Sequence, residues 1–146
     1  MDAVKQFAKH SFLVVVSAVT VLFAGYSGSV LSDELKVTLS GAQEIPPVTT
    51  SATGTGTITV GADKSVSGNV TISGMAVTVA HIHEAAAGKT GPIIIPLTKT
   101  SDTGWSVPAG AKLTDAQYES YKAGNLYFNM HSAAHKSGEI RGQIRP

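Results

Sequence analysis

The stretch LYFNMHSAAHKSGEIRGQI, Leu126 to Ile144, decides the fold class. In an extended chain, successive side chains point to opposite faces. In LYFNMH, Leu126, Phe128 and Met130 then share one face, and Tyr127, Asn129 and His131 share the other. In EIRGQI, Ile140 and Ile144 face one way, while Glu139, Arg141 and Gln143 face the other. Period-two alternation marks half-buried strands. The link from Ser132 to Gly138 is short enough for the two to pair as an antiparallel hairpin. If His131 opposes Glu139, then Asn129 opposes Arg141 and Tyr127 opposes Gln143, which gathers six polar groups on one face. The apolar face supplies core.

Working outward from this hairpin, the chain is rich in Thr, Val, Ile, Ser and Gly, broken at short intervals by Gly and Pro. That pattern belongs to an all-β sandwich or barrel. It predicts strands over residues 35–39, 54–60, 67–73, 77–84, 92–97, 125–131 and 139–144, with a hairpin turn at GADK, residues 61–64. One helix is expected within residues 113–124, with Thr114 as N-cap, Gln117 three residues on and Gly124 at the stop. The fold class expected is an antiparallel β-sandwich with one short helix.

Residues 1–32 read as a signal peptide, leaving one domain over residues 33–146. Lys5 and Lys9 precede an apolar run, FLVVVSAVTVLFA from Phe12 to Ala24, and small residues follow it. The run is shorter than the roughly 18 to 20 residues that span a bilayer comfortably, so membrane contact is expected only through the leader before its cleavage. The protein is accordingly expected to be exported, to a periplasm or outside the cell. Lys5, Lys9 and Asp2 fall in the leader, so the rest carries nine basic and nine acidic residues. A neutral surface argues against nucleic acid as a partner. With no cysteine, neither disulfides nor thiolate ligation is available.

The chemistry points to histidine. AHIH, Ala80 to His83, and MHSAAH, Met130 to His135, hold four of the five histidines. His81 and His83 alternate on a strand and so project from one face, a spacing suited to gripping one metal ion. His131 and His135 are the further candidates, which makes His81, His83, His131 and His135 the predicted metal ligands. Copper is favoured over zinc, because a thiol-free, imidazole-rich site suits it. The alternative is a structural pair whose ring N–H groups satisfy buried carbonyls. Since both histidine strings lie at strand C-termini, they are expected to meet only if their strands run alike or face across an end of the sheets.

Around the histidines, Tyr127, Asn129, Glu139 and Arg141 are the predicted supporting residues. Tyr127 is expected to pack across the sheet with its hydroxyl bonded, and Asn129 to serve as a structural hydrogen-bonder. Glu139 and Arg141 are expected to form a same-face ion pair tied into Gln143 and Glu44. No residue is singled out as catalytic, because neither a cleft nor a nucleophile is marked.

AQEIPPV (Ala42 to Val48), AHIHEAAAGKTGPIIIPL (Ala80 to Leu97) and GNLYFNMHSAAHKSGEIRGQI (Gly124 to Ile144) occur in this order. With these motifs, residues 38–146 resemble the CHRD domain, a module named from repeats in chordin and found also as stand-alone exported bacterial proteins. The resemblance implies an immunoglobulin-like or superoxide-dismutase-like antiparallel sandwich, in a family without an agreed biochemical activity. The family's histidines carry over onto His81, His83 and His131. His135 falls in a loop where the family pattern varies.

Three functions follow as expectations. The first is an exported metal-binding module acting in copper storage, delivery or redox buffering. The second is a copper-dependent enzyme of superoxide-dismutase type, and the third a metal-free adhesion or interaction domain. Whether the protein is an enzyme stays open at this point.

Overall fold

The computed structural model describes residues 32–146, so the expected leader, but for Ser32 at its end, lies outside the described residues. Among the described residues nine strands form: β1 Leu35–Ser40, β2 Thr53–Val60, β3 Val66–Ser73, β4 Val79–Glu84, β5 Ile93–Pro96, β6 Thr98–Lys99, β7 Gly104–Ser106, β8 Leu126–His131 and β9 Ile140–Ile144. All pairings are antiparallel, in the order β5-β4-β8-β9-β1-β2-β3-β7-β6. The two ends of that order, β5 and β6, are separated in the chain by Leu97 alone. A sheet whose outer strands are consecutive in the chain must curl until its edges approach, which leaves a nearly closed, barrel-like all-β fold around one core. The Leu97 N–H donates to the Ala80 carbonyl at 2.9 Å, which carries the β4–β5 pairing one residue past the end of β5.

Alternation places the core as expected. Val37 and Leu39 of β1, Ile58 of β2, Val70 and Ile72 of β3, Ala80 and Ile82 of β4, and Phe128 and Met130 of β8 are all buried. β2 reads TGTGTITV, and its inward glycines make room for larger neighbours. A Cβ on Gly56 would lie 3.2 Å from the Phe128 ring. Close packing of this kind leaves little slack for added atoms.

The β8–β9 hairpin takes the expected register, with Asn129 opposite Arg141 and Tyr127 opposite Gln143. Ladder pairing ends at Met130 opposite Ile140, one step short of His131 and Glu139, where the Glu139 N–H donates to the Met130 carbonyl at 2.8 Å. The β2–β3 turn closes at Gly61–Ser65, with Lys64 at φ 68°.

Helix α1, Asp115–Lys122, has the full capping box of Thr114 and Gln117. Gly124 follows its end at φ 74°, a left-handed position that glycine occupies at no steric cost. β6 and β7 were not anticipated. They are two and three residues long, too short to show alternation, and they owe their pairing to β3 and to each other. Among the described residues no helix is long and apolar enough to cross a membrane.

Candidate metal centre

β4 and β8 are direct antiparallel neighbours, pairing Val79 with His131, His81 with Asn129 and His83 with Tyr127. Residues opposite one another share a face, so the three histidines stand on one surface of this ribbon. His131 is one diagonal step from His81. The expected need for strands that run alike, or for a meeting across the sheet ends, is therefore corrected: full-length antiparallel pairing sets the last residue of β8, His131, opposite the first of β4, Val79, two residues from His81. One ring nitrogen from each of His81, His83 and His131 lies within 4.8 Å of the other two. The ring centroids are 5.1 Å apart for His81 and His131, and 5.5 Å for His81 and His83.

Hydrogen bonds assign the proton on two of these rings. His83 Nδ1 is 2.9 Å from the Gly91 carbonyl, and His131 Nδ1 is 2.9 Å from the Lys136 carbonyl. A carbonyl only accepts, so each Nδ1 carries the hydrogen and each Nε2 presents a lone pair. His83 Nε2 is buried and has no hydrogen-bond partner. A buried acceptor without a partner costs about 1–3 kcal/mol, a cost that a bound cation would remove. His131 Nε2 sits 3.3 Å from His81 Nδ1, which donates to it.

This spacing fits a coordination shell. Two nitrogens held at about 2.0–2.1 Å from one ion at a tetrahedral angle lie about 3.3 Å apart. His81 would have to give up its Nδ1 hydrogen to ligate through that atom, or turn to offer Nε2. Burial, then the neighbouring His131 and His83, lowers the His81 pKa; burial also lowers that of His83, against the opposing bond to Gly91. Both shifts favour the neutral imidazole that a metal needs.

The surrounding residues fall into two groups. Tyr127 is buried and stacks on His83, ring centroids 5.0 Å apart, and its hydroxyl accepts the Gly91 N–H at 3.3 Å. The Arg141 guanidinium covers the opposite side of the Tyr127 ring, 3.5 Å from its centroid. Asn129 donates to Glu44 and, at 3.2 Å, to the Ile140 carbonyl, a structural role.

Glu139 and Arg141 do not form the expected ion pair. Arg141 donates instead to the carbonyls of Lys89 at 2.6 Å and Ala86 at 3.2 Å, and to Gln143 Oε1 at 2.8 Å. Glu139 accepts from Thr50 and Ser132. Burial pushes the Glu139 carboxyl up, but those two bonds outweigh it and leave its pKa below the usual value. Burial raises that of Glu44 against the opposing bond from Asn129.

His135 is not brought into the histidine group. It is half-buried in the β8–β9 loop. The carbonyls of Gly91 and Lys136 were missed by sequence reasoning, since backbone acceptors carry no residue-type signal.

The family model for the CHRD domain matches residues 35–144, nearly all of the described chain. The histidines thus stand on a β-sheet protein of one defined class: the chain belongs to the CHRD domain family. No curated protein and no solved structure matches the chain.

Proposed function

We propose that the protein is a His-based metal-binding module that takes copper in preference to zinc and acts in storage, delivery or redox buffering. One observation carries the reading: His83 and His131 each have Nδ1 committed to a backbone carbonyl, which leaves each Nε2 with a lone pair to offer, on rings that stand with His81 in a group whose ligand atoms lie within 4.8 Å of one another. Metal-ligating histidines characteristically hold their second nitrogen in this way. A set of imidazoles without thiolate binds divalent copper above zinc in the usual affinity order. The basic and apolar leader over residues 1–32 supports an exported setting, where the protein would meet metal outside the cytoplasm.

Titration of the leaderless protein with Cu(I), Cu(II) and Zn(II) tests the reading. One equivalent of copper is expected, and the double variant His81→Ala, His83→Ala should lose it. Failure of the unaltered protein to retain any of the three ions would refute it and favour a metal-free interaction domain.

A second reading, a copper enzyme of superoxide-dismutase type, draws on the exposure of His81. His81 is less buried than its two partners, so an ion held by three nitrogens would keep a coordination position facing solvent. Dismutation of superoxide by the copper-loaded protein, abolished by His131→Ala, would select this reading.

A further inference from the structure

We infer that Arg141 is a positioning residue for the histidine centre, acting on His83 through the loop between β4 and β5; this rests on the metal-binding reading of that centre. Arg141 is a cation only 2 % exposed to solvent. Burying a guanidinium is costly unless its donors are satisfied. Here two of its nitrogens reach the carbonyls of Lys89 and Ala86, so the fork spans the loop from inside the fold. Gln143 extends the clamp, accepting from Arg141 and donating to the Ala85 carbonyl at 3.0 Å.

The pinned loop returns to the centre at Gly91. Its carbonyl takes the His83 Nδ1 hydrogen, and its N–H donates to the Tyr127 hydroxyl. Gly91 also passes so close to the strand end that a Cβ there would lie 1.9 Å from the Glu84 carbonyl oxygen. The same guanidinium backs the Tyr127 ring, whose other side carries His83. Arg141 therefore holds both supports of His83: the acceptor that fixes its tautomer and the aromatic plane that fixes its tilt. A planar fork can span two carbonyls in this way, and an ammonium cannot reproduce it.

The tests use the leaderless protein with Arg141→Gln, Arg141→Lys and Gly91→Ala variants. Imidazole ¹⁵N shifts of the metal-free protein report the His83 tautomer, and competition titration reports copper affinity. In the unaltered protein the hydrogen should reside on Nδ1. In Arg141→Gln and Arg141→Lys it should redistribute toward Nε2, with a loss of about 10- to 100-fold in affinity, the usual effect of removing support behind a metal ligand. Arg141→Lys should fail to rescue although it keeps the charge. Gly91→Ala should reproduce both changes by displacing the carbonyl directly while Arg141 stays in place.

Folded Arg141 variants that keep the Nδ1 hydrogen and the full affinity would overturn the inference. So would a loss of thermal stability without change in either readout, since a merely structural arginine predicts that. Should both Arg141 variants fail to fold, Gly91→Ala decides: an unaltered tautomer there overturns the proposal. The tautomer is read without metal, so a protein that binds no copper but shows the predicted shift would refute the metal-binding reading and leave the positioning of His83 standing.

Discussion

Tyr127 lies flat on His83, their rings 12° from parallel, at the position directly across the β4–β8 ladder. This contact joins the histidine face to the interior, because the far side of the same phenol ring bears the Arg141 guanidinium. Tyr127→Phe preserves the stack and removes only the bond from the Gly91 N–H. It should cost about 0.5–1.5 kcal/mol of stability in urea unfolding. Tyr127→Ala removes the platform as well and should cost about 3–5 kcal/mol, as large buried aromatics do.

The stability of the metal-free protein should fall on mild acidification. His81 and His83 both have folded pKa values lowered mainly by burial. Below the ordinary histidine pKa of about 6.5 the unfolded chain takes up protons that the folded chain resists, so stability decreases as pH falls. The slope should begin near pH 6.5 and flatten once the pH drops below the folded-state values. Denaturant unfolding between pH 7.5 and 5 checks this: a slope equal to that of the His81→Ala, His83→Ala variant would contradict it.

His135→Ala should leave copper affinity unchanged and alter stability by no more than about 0.5 kcal/mol. The loop bonds that His135 makes run through its backbone, its carbonyl accepting from the N–H groups of Ser132 and Gly138. Isothermal titration of this variant beside the unaltered protein is the check, and a marked loss would place His135 among the ligands.

Phe128→Ala should destabilise the fold by about 3–5 kcal/mol without displacing the histidines. Phe128 is fully buried on the face of β8 opposite His131, against Gly56. Thermal unfolding reads the first effect, and the histidine ¹⁵N shifts read the second.

Where side-chain alternation is strong, the fold was legible. In β8 and β9 it specified strand, face and register together, because a slip of one residue would turn Phe128 and Met130 outward. Helix α1 was legible for a different reason, since Thr114 and Gln117 cap it locally. The neighbourhood of β4 and β8 was not. It joins segments far apart in sequence, and nothing local records the pairing that sets His131 beside His81. β6 and β7 escaped notice because two or three residues carry no period.

The candidate site was legible to the extent that side chains mark it. His81 and His83 share a face by parity alone, while His131 joins that face through the β4–β8 register. Glu139 and Arg141 also share one, and their proximity suggested a pair. Their partners were decided instead by loops from elsewhere in the chain: Thr50 and Ser132 for the carboxylate, the backbone of Ala86 and Lys89 for the guanidinium.

The coordination shell of the copper-loaded protein tests the central claim most directly. X-ray absorption at the copper edge should show three imidazole nitrogens at about 2.0 Å, with the imidazole scattering reduced to two rings in His83→Ala and again in His131→Ala. A shell made of oxygen atoms, or one unchanged by either substitution, would contradict the account.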